Sequence, residues 1–169
     1  MPDRPASQDA RRRDPGAEDG DAASFIQGYL LYLLARASHE LSAEFHARLR
    51  RLGVSVGEWR VLATLSGPRG ERGGEGGGET VGALAAACLM QQPTMTKLLD
   101  RMERAGLVAR VGDAGDRRRV TVVITETGRL RVAGMLEAAR AHEAEAMARL
   151  GPVGEELKAA LRRLLAPGR

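Results

Sequence analysis

The chain has 169 residues, enough for one domain with its own core or for a small lobe carried on long helices. Aromatic residues make up only 3%, Ala, Leu and Arg abound, and the net charge is +4, a balance that favours helices and suits an anionic partner. The single cysteine, Cys88, excludes an internal disulfide framework and a Cys-rich zinc module, and fits a reducing cytoplasm.

Residues 1–23 carry six acids and four arginines among Pro, Gly and Ser, which predicts a disordered tail without the apolar segment of a secretory signal. The longest apolar stretch, Tyr29 to Ala35, is too short to span a bilayer, so no membrane partner is expected. From Ser24 to Leu52, Leu30, Leu34, Leu41, Phe45, Leu49 and Leu52 recur at helical spacing and predict a long amphipathic helix that Gly53 ends. Ser55-Val56-Gly57-Glu58 spells a capping box ahead of a short second helix bearing Trp59, Val61, Leu62 and Leu65. In GPRGERGGEGGGE, residues 67–79, seven of thirteen positions are Gly, which predicts a flexible loop, long for a compact domain.

Thr80 is placed to cap a third helix from Val81 to about Met90, and Gln91-Gln92-Pro93 breaks the chain and starts a fourth, which Gly106 closes. Leu107 to Val111 and Val120 to Thr125 read as two strands joined by a turn that carries Arg117, Arg118 and Arg119. Thr125 or Thr127 can cap a fifth helix with Leu130, Met135, Leu136, Ala139, Met147 and Leu150 on its apolar positions. Gly151-Pro152 interrupts it, and a last helix carries Leu157, Leu161, Leu164 and Leu165.

A short helix, a tight break, a second helix and a hairpin outline a winged helix-turn-helix. On the fourth helix Met95, Leu98, Leu99 and Met102 share one face, while Thr94, Lys97, Arg101 and Arg104 form a stripe roughly 130° away. Such a stripe can enter a major groove, and an arginine from the hairpin can enter the neighbouring minor groove. From Gln91 to Arg119 there are seven Lys or Arg against four Asp or Glu. Asp116 either fixes a guanidinium rotamer or stabilises the turn through its own backbone. No nucleophile elbow, Walker loop or His-Glu-x-x-His is present, so no enzyme and no cofactor is expected.

The run GVSVGEWRVLATL, followed by TVGALAAACLMQQPTMTKLLDRMERAGLVARVGDAGDRRRVTVVITETGR, resembles the multiple antibiotic resistance regulator (MarR) family of bacterial transcription factors across residues 53–129. LLDRMERAGLVAR, the Asp-x-Arg of Asp116 and Arg118, and TETGR are the most specific pieces. The resemblance implies a mainly α fold with a small β-hairpin wing. A winged helix-turn-helix lobe would span 53–125, and dimerisation helices 24–52 and 126–169, in a homodimer that reads a near-palindromic operator in double-stranded DNA. It implies a recognition helix from Pro93 to Arg104 with Thr94, Thr96, Lys97 and Arg101 as contacts, Arg118 in the minor groove, Asp116 orienting it, and Arg117 and Arg119 at most on phosphates. The Gly-rich segment and the tail depart from the family pattern.

Family members often respond to small aromatic or phenolic acids, and the corresponding residues here are Tyr29, Tyr32, Arg36, His39 and Trp59. The resulting expectation is a ligand-responsive repressor in the cytoplasm. A helical dimer that docks a protein through its basic lobe is the rival, and Cys88 the candidate for a redox-responsive alternative. His39 and His46, seven apart, and His142 near Glu143 and Glu145 lack the tight spacing of a metal site, and Cys88 reads better as a buried apolar side chain.

Overall fold

The structure is a computed structural model that describes residues 25–67, 78–112 and 120–166. The tail, most of the Gly-rich segment, and Asp116, Arg117, Arg118 and Arg119 lie outside the described residues. Among the described residues the elements follow one another as α1 (Leu30–Arg51), α2 (Val56–Leu65), β1 (Glu79–Thr80), α3 (Val81–Ala87), α4 (Gln92–Arg104), β2 (Val108–Gly112), β3 (Val120–Ile124), α5 (Glu126–Leu150) and α6 (Val153–Leu165).

The chain divides into two compact units, one ending at Leu41 and one beginning at Ser42. In the first, residues 25–28 form a helical turn that is separated from α1 at Tyr29, so the helix expected from Ser24 starts late. Gly28, the poorest helix former of that stretch, stands at the junction. Phe25 and Tyr29 stack with ring centres 5.6 Å apart, and Arg36 pairs with Glu40 at 3.0 Å.

The second unit folds around a core that draws on the end of α1 and on α2, α3, α4, β2, β3 and α5. Leu49, Val61, Leu62, Leu84, Met95, Leu99, Val122 and Met135 are among its most buried members. The strands form one antiparallel sheet in the order β1-β3-β2, with Arg110 opposite Val122 and Gly112 opposite Val120. β1 was not foreseen, because two residues carry no readable period. It pairs Glu79 with Val122, and Gly78 before it, at φ +107°, lies so close to the Val122 carbonyl that a Cβ would come within 2.8 Å.

The ends of the helices follow the sequence closely. Ser55 Oγ accepts from the Glu58 N–H at 3.1 Å, Thr80 Oγ1 from Ala83 at 3.2 Å and Thr125 Oγ1 from Gly128 at 3.0 Å. The capping box is only half formed, since the Glu58 carboxylate takes Arg131 Nε of α5 at 3.1 Å. Arg131 also donates to the Gly53 carbonyl at 3.0 Å, joining α5 to the end of α1 and the first turn of α2. At the start of α5 the Thr125 hydroxyl donates to the Gly106 carbonyl at 2.6 Å. Gly128 packs so tightly that a Cβ there would fall 2.1 Å from the Leu107 carbonyl oxygen.

Two further expectations need correction. The third helix stops at Ala87 and not near Met90, because the chain turns left-handed at Leu89. On α5, the buried residues are Gly128, Val132 and Met135, spaced four and three, whereas Leu130 is 71% exposed.

Candidate nucleic-acid interface

The interface is built on the α3–α4 corner. α3 ends in a paired set of backbone bonds, Met90 N–H to Ala85 O at 2.9 Å and Leu89 N–H to Ala86 O at 3.2 Å, which forces Leu89 to φ +53°. α4 then starts at Gln92 with Pro93 in its first turn, and its cap residue Gln91 makes no side-chain capping bond. Gly57 of α2 lets α4 come close, since a Cβ there would lie 2.9 Å from Leu98 Cδ2.

With Met95, Leu98, Leu99 and Met102 buried, the rotation of α4 is fixed. Thr94, Thr96, Lys97, Arg101 and Arg104 are all exposed, as the spacing predicts. Thr96 spends its hydroxyl on the Gln92 carbonyl at 3.0 Å, and Arg104 Nε donates to the Asp100 carbonyl at 3.2 Å. Lys97 and Arg101 stand in no ion pair among the described residues. β2 and β3 run beside this helix as the stem of the wing, and their outer ends, Gly112 and Val120, are paired. Residues 113–119 between them, which include Asp116 to Arg119, are outside the described residues.

Arg110 of β2 escaped the sequence reading. Its guanidinium forks onto α4, with Nη2 on Asp100 Oδ1 at 2.6 Å and Nη1 on Glu103 Oε2 at 2.5 Å, and its backbone N–H reaches Glu103 Oε1 at 3.1 Å. The two carboxylates hold the guanidinium charged, pushing its pKa upward, with Asp100 the larger influence. The signal was present as two acids three apart on α4, seven and ten residues before an arginine on the adjoining strand.

The residues singled out for an aromatic ligand fall in both units. Tyr29, Tyr32, Arg36 and His39 belong to the one ending at Leu41, where Arg36 lies 6.0 Å from the Tyr32 ring centre. Trp59 belongs to the other and meets Phe45 edge-on at 5.3 Å, against the core. Cys88 is 2% exposed, and burial pushes its thiol up, away from the reactive thiolate. Among the described residues no group of three or more His, Cys, Asp or Glu is placed to hold a metal ion, and no helix is long and apolar enough to cross a membrane.

Comparison with known proteins places this geometry. The MarR family profile matches residues 52–119. The crystal structure of the MarR family transcriptional regulator SPO1453 from Silicibacter pomeroyi is 40% identical, with a TM-score of 0.70 over 83% of this chain and 96% of that one. The chain belongs to the MarR family. A second solved relative, the MarR family protein Rv2887 of Mycobacterium tuberculosis in complex with salicylic acid, is 30% identical, with a TM-score of 0.63 over 80% of this chain and 95% of that one. The transcriptional activatory protein BadR of Rhodopseudomonas palustris is 31% identical over 71% of this chain and 66% of its own length. SPO1453 and BadR are named as transcriptional proteins, and a MarR winged helix is what α2 to β3 form here.

Proposed function

We propose that this MarR family chain works in the cytoplasm as a homodimer that binds a near-palindromic operator in double-stranded DNA, represses by occupying the promoter, and is released by a small aromatic acid. It performs no catalysis of its own. The observation that carries this reading is α4, which buries four apolar side chains and by that act turns Thr94, Lys97, Arg101 and Arg104 outward beside the wing stem. Residues 53–125 would then be the DNA-reading lobe, with Arg118 in the minor groove, Asp116 orienting it, and Arg117 and Arg119 near phosphates. Residues 24–52 and 126–169 would pair with a second copy. The exposed apolar residues of α1 and α6, Leu30, Leu31, Leu33, Leu164 and Leu165, support that pairing.

Salicylic acid in the Rv2887 complex supports an aromatic acid as effector. Tyr29 and Tyr32 offer rings, and Arg36 and His39 offer groups for a carboxylate, which would compete with Glu40 for Arg36. Burial of Cys88 disfavours the redox alternative.

The test is binding of the purified protein to fragmented DNA of its own source, with and without salicylic acid, across a salt series. Recovery of a palindrome from a promoter, with affinity falling steeply as salt rises, supports the reading. Salt-insensitive or absent binding sinks it in favour of a protein partner, and binding that salicylic acid does not weaken counts against an effector of that kind.

A further inference from the structure

α4 carries two acids next to its basic stripe. Asp100 lies three residues after Lys97 and four before Arg104, the two separations at which side chains on a helix meet. By rotation it stands roughly 80° from the centre of the stripe. Arg104 already folds toward it, with Nε on the Asp100 carbonyl at 3.2 Å. A carboxylate free to swing at this position would pair with Lys97 or Arg104, neutralise them, and set a negative charge against phosphate. In the structure it does neither, because Arg110 of β2 holds it at 2.6 Å from the wing side while its other nitrogen holds Glu103.

Asp100 is half exposed, so nothing in the core constrains its rotamer, whereas the Arg110 side chain is largely covered and grips both acids at once. We propose that Arg110 is a positioning residue for DNA binding. By drawing Asp100 and Glu103 to the wing side of α4, it keeps the cations of the stripe available to phosphates. This inference rests on the DNA-binding reading above. Arg110 touches no DNA itself in this scheme; its effect passes through Lys97 and Arg104.

The test compares the full chain, Arg110→Met, and Arg110→Met with Asp100→Asn, each titrated with a mixed-sequence duplex of about 30 base pairs over a range of salt concentrations. The single variant is expected to bind about ten-fold more weakly at moderate salt, and its log-affinity against log-salt slope to flatten by about 1 to 2, since each phosphate contact contributes about 0.9. The double variant is expected to recover both affinity and slope. If Arg110 only props the wing, the double variant stays as weak as the single one. An unchanged slope in Arg110→Met, or no recovery in the double variant, overturns the proposal. Salt-independent or absent binding by the unaltered chain is a different failure, since it removes the DNA reading and this inference with it.

Discussion

Three helices of this chain end in the same pattern of backbone bonds, and the residue at the left-handed position differs among them. Gly53 and Gly106 adopt it at φ +65° and +71°, while Leu89 adopts it at +53° with its side chain 87% exposed. A leucine there sets Cβ against the backbone without any burial in return. Leu89→Gly should therefore raise stability by about 0.5–1 kcal/mol, read as a higher denaturation midpoint at unchanged slope. A lower midpoint would mean that the exposed side chain is covered in the working assembly. Two glycines of α5 give a paired test. Gly128→Ala places a methyl against the Leu107 backbone and should cost on the order of 3 kcal/mol, whereas Gly134, with nothing within 4 Å, should gain about 1 kcal/mol from the same change. Equal effects at both positions would contradict the close approach of α5 to the wing stem.

At the scale of elements, the later part of α1 is tied to α5 by charge. Glu44 accepts two bonds of 2.9 Å from Arg149, Arg48 pairs with Glu145, and Lys158 of α6 takes Glu143 at 2.7 Å. The Arg149 hydrogen bonds hold the Glu44 carboxyl below its ordinary value of 4.5, as Arg48 and Lys158 do for Glu145 and Glu143. A carboxyl depressed in the folded state contributes stability that is fully present above its unfolded value and is lost as pH falls through the folded one. The melting temperature should therefore decline as pH is lowered from 6 toward 3, and Glu44→Gln should flatten that decline. These groups are exposed, so added salt should flatten it as well. A melting temperature independent of pH across that window would show that the pairs contribute nothing.

The elements were legible to different degrees. Periodicity placed Met95, Leu98, Leu99 and Met102 inside because a helix repeats every 3.6 residues and four hits define a face. Caps were equally readable, as Ser55, Thr80 and Thr125 each accept the expected backbone N–H. What escaped notice depends on contact between elements. Arg110 meets Asp100 and Glu103 only once β2 lies along α4, Glu58 abandons its own cap for Arg131 across 73 residues, and the two-residue β1 exists only because β3 is beside it. Leu130 misled because apolar character was read without the close packing of Gly128 that sets the rotation of α5.

The whole molecule leaves much apolar surface uncovered. Leu30 and Leu31 of α1 are 61% and 58% exposed, and Leu164 and Leu165 of α6 still more. Under the homodimer reading a second copy covers them, and folding and association are then linked by mass action. The melting temperature should rise with protein concentration, and Leu164→Asp should yield a monomer with weakened operator binding by losing one of two linked half-sites. A sedimentation coefficient that stays at the monomer value, with a melting temperature that does not change, from micromolar to hundred-micromolar protein would refute the dimer.

The joint at the start of α5 has a mechanical consequence. Thr125 is bonded to Gly106, Gly128 lies against Leu107, and Arg131 grips Glu58 and Gly53, so hydrogen bonds and close packing join the lobe to the first turns of α5. With 25 residues, α5 is a lever roughly 37 Å long. A tilt of about 5° applied through that lever displaces its far end by about 3 Å, several times the ~0.5 Å within which a binding constellation must be held. Under the homodimer reading, small angular errors along this helix are thus enough to bring two groove-reading surfaces into step or to put them out of it.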